Sequence, residues 1–500
     1  MLFNSLDFLI FFPIVVFLYF LVPRRAKYIW LLITSYYFYM SWNPKYALLI
    51  LASTVLTWIT GLGIDYCRRQ GGAHSVRWQK ICIAACCIVN LGILVFFKYF
   101  DFLLDNINFV LHKLGAGIVE KPFDVILPVG ISFYTFQALG YIIDVYRGKV
   151  QAEKNIAKYA LFVSFFPQLV AGPIERTGNL LGQINRIPEM KLLNYERITN
   201  GLVYMLYGFF LKMVIADRVS IMVDTVFDSW YTYGTVELIA GAVGFAIQIY
   251  CDFSSYSTIA IGAAQVMGFE LMENFDAPYY AASVKEFWRR WHISLSTWFR
   301  DYVYIPLGGN RCSTRRRYVN LMVTFLASGL WHGANWTFIV WGGLHGIYQI
   351  LGELLRPVKD RLYPHIGIRT GSASYRIGQV ITTFILTDVA WIFFRAESVG
   401  YALRYILNIF RRWNPWAIAD GSLYQIGLSH FEWNVLLIAV MIMLLVDTVK
   451  RWRNKRFDQF LNEQGTLFKG IVISVLVLMI GIFGKYGGGF DAQQFIYFQF

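Results

Sequence analysis

Long apolar segments recur from one end of this chain to the other. Three of them are FLIFFPIVVFLYFLV (8–22), YALLILASTVLTWITGLGI (46–64) and IVISVLVLMIGIFG (471–484). Each is close to the ~20 residues that a helix needs to cross a bilayer. Charged residues make up only 15% of the chain, whereas soluble proteins carry about 25%. The sequence therefore predicts an all-α, polytopic membrane protein with about ten to fourteen membrane helices, some of them short or re-entrant.

Basic clusters between the apolar segments predict the orientation. Clusters such as Arg24–Lys27 and KRWRNKR (450–456) alternate with segments poorer in Lys and Arg, such as 101–123, which is predicted to be a loop. By the positive-inside rule the basic loops are cytoplasmic, so both termini are predicted to be extracytoplasmic. The first apolar run lacks a basic leader and a cleavage site, and is predicted to be a retained helix. The net charge of +14 is explained by basic loops beside anionic lipid, without nucleic-acid binding.

The chain is predicted to form one integral-membrane domain, residues 1–484, followed by a glycine hinge and an aromatic tail, residues 485–500. Its cysteines form no metal-ligand pattern with histidine, so neither a metal site nor a disulfide framework is predicted.

A histidine interrupts the apolar run FLASGLWHGANWTF, residues 325–338. On a continuous helix, His332 would share one side with Ser328 and Asn335, and Gly329 and Gly333 would admit a close neighbour. Ionisable groups at membrane depth are costly and usually face a cavity or the protein interior. We therefore interpret His332 as a functional residue, with a packed, hydrogen-bonded histidine as the alternative.

The segment SVKEFWRRWHISLSTWFRDYVYIPLGGNR, residues 283–311, is basic, aromatic and too polar to span a membrane. Its aromatic residues recur at helical spacing, which predicts one amphipathic helix at the membrane interface. An ordinary interfacial helix explains everything in this segment except His292. The functional interpretation is a basic mouth that accepts an anionic substrate.

A third segment, IQIYCDFSSYSTIAIG (247–262), is apolar but interrupted by polar side chains. Gln248, Asp252 and Ser254 belong either to a helix end at the interface or to the polar wall of a cavity.

Several stretches resemble the membrane-bound O-acyltransferase superfamily, in particular its bacterial branch of alginate and peptidoglycan O-acetyltransferases and teichoic-acid D-alanyl transfer proteins. The two histidine segments carry most of this resemblance. Supporting stretches are ISFYTFQALGYIIDVYRG (131–148), FFPQLVAGPIER (165–176), MENFDAPY (272–279) and WIFFRAE (391–397). One departure is CDFSSYST (251–258), where relatives have CDFSGYSD, so a role of that aspartate cannot be transferred to Thr258.

The resemblance implies a helical bundle with a central tunnel in a bacterial cytoplasmic membrane. His332 then matches the family's near-invariant histidine and would act as general base, while His292 matches the WHxS histidine and would orient the thioester or stabilise the oxyanion. Trp331 and Ser328 would line the tunnel together with Gln248, Asp252 and Ser254. Asn335 would line it too and hold His332 in place.

The implied acyl donor is cytosolic acetyl-CoA, used as a substrate without any bound cofactor. Its phosphates would be bound by the arginines of the basic segment, namely Arg289, Arg290, Arg315, Arg316 and Arg317.

Three functions remain open at this point. The first is O-acetylation of an extracellular polysaccharide or cell-wall glycan, completed by an extracytoplasmic partner protein. The second is D-alanyl or other acyl transfer to teichoic acid. The third is a transporter that uses its histidines as a proton relay.

The last six residues, FIYFQF (495–500), are aromatic and follow three glycines. Burying such large side chains contributes roughly 1.5–3 kcal/mol each, which predicts that the tail docks. The pattern resembles the C-terminal motif of the partner peptide in teichoic-acid D-alanylation, which suggests that Tyr497 is an acyl relay. Docking without a relay is the alternative.

Overall fold

The computed structural model describes residues 1–122, 127–170 and 172–486. Within these ranges every regular secondary-structure element is a helix. The predicted all-α class is therefore confirmed. The glycine hinge at 487–489 and Tyr497 lie outside the described residues.

The described chain groups into two compact units. The first consists of residues 1–202 and 260–272, and the second of residues 203–259 and 273–500. The sequence predicted one domain over residues 1–484, without this division into two units.

The first unit contains eight complete α-helices in its described part. They are Leu6–Leu21 (α1), Lys27–Met40 (α2), Ala47–Gln70 (α3), Gly72–Lys113 (α4), Ile131–Tyr146 (α5), Ile156–Ser164 (α6), Phe166–Leu169 (α7) and Thr177–Asn185 (α8). The predicted loop 101–123 is wrong over its first part, because α4 continues to Lys113. Apolar and aromatic residues persist through 96–111 and favour the helix over a turn.

The boundary between the two units falls inside two long helices, Tyr195–Phe209 (α9) and Thr235–Met267 (α11). Asp217–Asp228 (α10) lies between these two helices in the sequence. A π-helical stretch, Phe210–Ala216, joins α9 to α10.

The remaining helices belong to the second unit. They are Val284–Arg290 (α12), Ile293–Phe299 (α13), Thr314–His332 (α14), Trp336–Leu354 (α15), Arg356–His365 (α16), Ala373–Arg395 (α17), Val399–Arg411 (α18), His430–Arg453 (α19), Phe457–Asn462 (α20) and Thr466–Phe483 (α21).

Seven helical segments of the described chain are long and apolar enough to cross a membrane. They are Pro44–Gln70, Gly72–Lys113, Tyr195–Asp228, Thr235–Met267, Ala373–Arg395, His430–Arg453 and Thr466–Phe483. An eighth is added if α15 and α16, bent by 51°, form one span. The ten to fourteen membrane helices that were predicted include short ones, which these seven leave out, such as Leu6–Leu21. Other apolar segments, such as 156–169, fold into short buried helices. Residues 471–483 of the predicted apolar run 471–484 lie within one of the seven segments, Thr466–Phe483.

Polar side chains at the ends of helices fix where the helices of the second unit begin. Ser313 accepts a hydrogen bond from the backbone of Arg316 at the start of α14. Ser429 and Glu432 form a reciprocal capping box at the start of α19. Such caps satisfy backbone N–H groups that have no partner within the helix.

Candidate active site

Helices α14 and α15 cross at two glycines. A Cβ atom at Gly329 would lie 2.2 Å from the backbone oxygen of Phe338, and one at Gly342 would lie 2.3 Å from that of Phe325. Small residues allow helix backbones to approach this closely within a membrane. The expected close neighbour of Gly329 is therefore the backbone of α15.

His332 is the last residue of α14 and is only 3% exposed. The helix ends because Gly333 adopts an extended backbone, with φ −164° and ψ 156°. A side chain at residue 333 would collide with the ring of Phe338, since its Cβ would lie 2.1 Å from a ring carbon. Glycine at this position lets the chain turn directly after the histidine.

Three aromatic side chains enclose the His332 ring. Its centroid lies 5.0 Å from Trp331, 4.9 Å from Trp341 and 5.5 Å from Phe394, each pair being nearly perpendicular. Edge-to-face contacts of this kind fix the orientation of a ring. The imidazole is therefore held at the end of α14 by packing from α14, α15 and α17.

His292 lies where the predicted interfacial helix is broken. The prediction of one continuous helix in 283–311 is wrong, because α12 ends at Arg290 and α13 begins at Ile293. His292 has a left-handed backbone, with φ 43° and ψ 54°, and is fully buried. A non-glycine residue in this conformation costs roughly 1–2 kcal/mol, so the surrounding contacts must hold it there.

The hydrogen bonds of Asn274 determine the tautomer of His292. Asn274 Oδ1 accepts from the backbone N–H of Ser294 at 3.2 Å, which orients the amide, and Oδ1 also lies 3.0 Å from His292 Nδ1. An amide oxygen can only accept, so Nδ1 carries the proton. In the neutral ring Nε2 is then an acceptor.

Burial keeps His292 neutral. Loss of solvation lowers the pKa of His292 from 6.5 to about 3, because a buried imidazolium is no longer stabilised by water. At neutral pH the ring is thus an Nδ1–H imidazole whose Nε2 can accept a proton or a hydrogen bond. An oxyanion needs a donor, so this tautomer does not favour the oxyanion role that the resemblance implies.

The two histidine rings lie together. Their centroids are 6.4 Å apart, and Trp331 contacts both, at 5.9 Å from His292. A substrate group that contacts one ring therefore lies close to the other.

Helix α11 supports this arrangement from a third side. Phe253 packs edge-on against His292 at 4.6 Å, and Ser257 Oγ accepts a hydrogen bond from Asn274 Nδ2. The neighbouring Asp252 forms a 2.6 Å ion pair with Lys212, which also pairs with Asp217 at 2.9 Å. All three groups are buried, and the single Lys212 cation pairs with both carboxylates, because a buried carboxylate without a cation would be strongly destabilising.

The other predicted tunnel residues of α11 are buried. Gln248 Oε1 and Ser254 Oγ have no hydrogen-bond partner among the residues that the structure describes. Buried polar atoms of this kind normally bind water or a ligand. That observation agrees with a polar cavity wall, although their assignment to a tunnel stays a prediction.

A cavity of about 720 Å³ lies in the second unit, and its described wall includes Ile293, which follows His292 in the chain, but neither histidine itself. This volume falls within the ~300–1,000 Å³ of small-molecule sites. Lys285, Arg289, Arg300 and Arg317 contribute to its wall, and so does Ser328 of α14. Ser328 precedes His332 by four residues, about 6 Å along the helix.

The five predicted donor-binding arginines do not lie together. Arg289 and Arg317 line the cavity, and Arg317 is paired with Glu353 at 2.6 Å. Arg290 instead pairs with Asp276 and Glu286. Arg315 and Arg316 are exposed on the first turn of α14 and are not among the described residues of the cavity wall.

Asn335 does not lie on the helix that carries His332. The extended Gly333 separates the two residues, and Asn335 instead caps α15 by accepting from Thr337 N at 3.0 Å. Its amide nitrogen donates to the backbone oxygen of Glu397. The oxygen and the nitrogen of the Asn335 amide are therefore both engaged in structural contacts. These contacts differ from the predicted one, in which Asn335 holds His332 in place.

Two residues of the site were given no role by the sequence. Asn274 lies within the quoted stretch MENFDAPY, but an asparagine 18 residues from His292 gives no pattern that links them. His345 lies one turn after Trp341, is fully buried, and stacks with Phe287 at 6.1 Å. Neither of its ring nitrogens has a hydrogen-bond partner within the described chain.

The sequence was compared with known protein families. The model of the MBOAT, or membrane-bound O-acyltransferase, family matches residues 151–396. This range includes both histidines of the buried pair.

Curated proteins resemble the chain over most of its length. A probable alginate O-acetylase of Azotobacter vinelandii is 39% identical, with 89% of this chain and 84% of the relative covered. A peptidoglycan O-acetyltransferase of Helicobacter pylori is 35% identical, with 81% and 79% covered. A teichoic acid D-alanyltransferase of Streptococcus thermophilus is 31% identical, but only 45% of this chain and 56% of the relative are covered.

Proposed function

Because this chain belongs to the membrane-bound O-acyltransferase family and is an O-acyltransferase, we propose that it acetylates an extracellular polysaccharide or a cell-wall glycan. The donor is cytosolic acetyl-CoA, and an extracytoplasmic partner protein completes the transfer to the glycan. The observation that carries this proposal is the buried histidine pair, together with a cavity whose wall is basic and includes Ser328, one helical turn before His332.

The names of the relatives support an acetyl group over D-alanine. Those that cover at least four fifths of this chain are named for acetyl transfer to alginate or peptidoglycan. The D-alanyltransferase covers less than half of it. The transporter alternative has no such support, since the family carries out acyl transfer.

The two histidines can catalyse the transfer with the thioester and the acceptor hydroxyl as the only reactants. The acceptor hydroxyl attacks the thioester carbonyl as His332 takes the hydroxyl proton. His292 Nε2 accepts a hydrogen bond from a second donor group of the bound substrate and so orients that substrate, because the proton of the attacking hydroxyl goes to His332. The tetrahedral intermediate then expels the thiolate, which receives the proton from His332, leaving an O-acetyl ester and CoA.

The reaction is tested with the purified full-length protein in proteoliposomes that contain radiolabelled acetyl-CoA on one side. We expect His332→Ala to lower acetyl transfer by about 10²–10⁴-fold, the usual contribution of a general base. His365→Ala is the matched control, since His365 is exposed on α16. Transfer at the wild-type rate by folded His332→Ala would overturn the assignment, and transfer only from a D-alanyl carrier protein would overturn the acetyl donor.

Arginine variants provide a separate test of the site that binds acetyl-CoA. Arg289 lines the cavity and Arg316 does not, so Arg289→Gln should raise the KM for acetyl-CoA and Arg316→Gln should not. An exposed charge pair contributes up to about 1 kcal/mol, which corresponds to about a fivefold change in KM. Equal KM values in the two variants would place the phosphates elsewhere.

A further inference from the structure

An apolar groove lies between α19 and α21 in the second unit, and α20 closes one end of it. Its volume is about 250 Å³, and its walls expose only apolar atoms. Leu445 and Val449 on α19 face Ile471, Val475 and Met479 on α21 across it. Only 6% of the most apolar part of α21 is buried, so this helix is covered by something other than the described protein.

The chain segment at the closed end of the groove is basic, and its two wall lysines face the groove only with their apolar stems. Lys450 and Lys455 contribute to its wall, and residues 450–469 contain six basic side chains against two acidic ones. Glu273 and Glu463 already pair with the two wall lysines. Arg453 is exposed, and Lys469 donates one hydrogen bond to Asn462, so positive charge remains for an external anion.

The length of the groove matches one leaflet of a bilayer. Its wall on α21 runs from Phe468 to Met479, which is about 16 Å at 1.5 Å per residue. Half the hydrocarbon core is ~15 Å thick. A chain that starts at the basic end would therefore reach the middle of the membrane.

We propose that the groove binds one anionic phospholipid from the leaflet beside the basic segment. An acyl chain lies between α19 and α21, and the phosphate is bound at the closed end by Lys469, which follows the wall residue Phe468, and by Arg453, one turn beyond the wall residue Val449 on α19. Charge complementarity and the apolar wall favour this ligand, because basic pockets between membrane helices recognise anionic headgroups.

The proposal is tested by native mass spectrometry of the full-length protein titrated with dioleoyl phosphatidylglycerol or dioleoyl phosphatidylcholine. Wild-type protein should bind phosphatidylglycerol more tightly. Val475→Trp should abolish that preference by filling the groove. Val477→Trp should retain it, because Val477 lies on the same helix with a similar exposure, 51% against 45%, but is not part of the groove wall among the described residues.

A second variant addresses the headgroup without altering the groove. Arg453→Gln with Lys469→Gln should lower the affinity for phosphatidylglycerol about fivefold per charge and leave acetyl transfer unchanged. Equal affinity for both lipids in wild-type protein, or an unchanged preference in Val475→Trp, would overturn the proposal. Dissociation of a dimer by Val475→Trp would also overturn it and assign the groove to a second copy.

Discussion

At the scale of single residues, His292 shows how one hydrogen-bond acceptor determines the chemistry of a ring. Asn274 Oδ1 accepts from His292 Nδ1, from Ser294 N and from Ser294 Oγ. These bonds compensate for the left-handed backbone of His292 and leave Nε2 as the acceptor. A neutral base is thereby placed beside His332.

The first prediction concerns the charge next to His292. In Asn274→Asp the acceptor is retained but becomes anionic, and an adjacent carboxylate raises the pKa of a histidine. His292, neutral in the wild type, should become protonated as pH falls, and Nε2 should then no longer accept. The pH profile of kcat for acetyl transfer, measured from about pH 5.5 to 8.5 around the usual range of histidine, should gain an additional acidic limb.

Ser257→Ala is the control for Asn274→Asp, because it removes one hydrogen bond to Asn274 without changing the charge. It should leave the shape of the pH profile unaltered. Identical profiles for Asn274→Asp and wild type would show that His292 does not take part as a neutral acceptor.

The second prediction concerns His345. Each buried polar group without a partner costs about 1–3 kcal/mol, and loss of a ring contact costs about 0.5–1.5 kcal/mol. His345→Leu should therefore raise the free energy of unfolding by on the order of 1 kcal/mol, measured as a higher Tm in detergent. A lower Tm would contradict this prediction and show that the six ring contacts that His345 makes with described residues outweigh its unpartnered nitrogens, and a higher Tm with loss of transfer would indicate that the histidine is retained for function.

The sequence identified the two histidines because each interrupts an apolar or amphipathic pattern. It did not identify Asn274, since a polar residue in a loop has no periodicity to break. It misplaced Asn335 because the helical pattern alone does not reveal the extended backbone of Gly333. The buried histidines could thus be recognised in the sequence, whereas the residues that orient them depend on tertiary contacts.

At the scale of helices, the site depends on how closely α14 and α15 approach. Gly329 and Gly342 lie against each other's backbones. That contact brings Trp341 on α15 against His332 at the end of α14. A larger separation of the helices would loosen the aromatic packing that orients the imidazole.

The third prediction tests this crossing. Gly342→Ala places a Cβ atom 2.3 Å from the backbone oxygen of Phe325, so the helices must separate and both Tm and acetyl transfer should fall. Overpacking typically costs about 1–3 kcal/mol. Gly352→Ala, further along α15, meets nothing within 4 Å and should stabilise the helix by about 0.4–1 kcal/mol.

Opposite effects of the two alanine substitutions would locate the close approach at residue 342. A Tm for Gly342→Ala at or above that of Gly352→Ala would contradict the backbone contact. The two variants differ only in position, so intrinsic helix propensity cannot explain a difference in sign.

Helices themselves were predictable where apolar runs are long and uninterrupted, as in α21. The break between α12 and α13 was not, because the aromatic spacing continues through Trp291 and His292 as if the helix were unbroken. The break is stabilised by Asn274, which the local sequence does not contain. Helix boundaries at the site were therefore fixed by distant residues.

At the scale of the whole chain, composition predicted the class of protein but not the number of membrane spans. The hydrophobic fraction of 57% gives the proportion of apolar residues in the chain. It does not give the number of membrane spans, because short buried helices such as α6 contain apolar residues just as membrane spans do. The orientation of the termini stays a prediction from the distribution of Lys and Arg.

The fourth prediction concerns the C-terminal segment, whose start is held by two hydrogen bonds. Arg218 donates to the backbone oxygen of Phe483 at 2.7 Å, and the backbone N–H of Lys485 donates to Met213. Tyr497 follows Tyr486 by 11 residues and can extend at most about 36–40 Å from it. In the relay hypothesis its hydroxyl receives the acetyl group with His332 as base, and then passes it to the partner protein.

Tyr497→Phe removes only the hydroxyl and keeps nearly all of the apolar surface that would dock. The relay predicts that this variant loses transfer to the glycan but still binds the partner, and that a C-terminal peptide of the wild type carries the mass of one acetyl group. Tyr486→Phe is the matched control and should remain active, because the Tyr486 hydroxyl only bonds to the backbone of Gly481. Full transfer by Tyr497→Phe would exclude the relay and leave docking as the role of the tail, since docking needs the aromatic ring but not its oxygen.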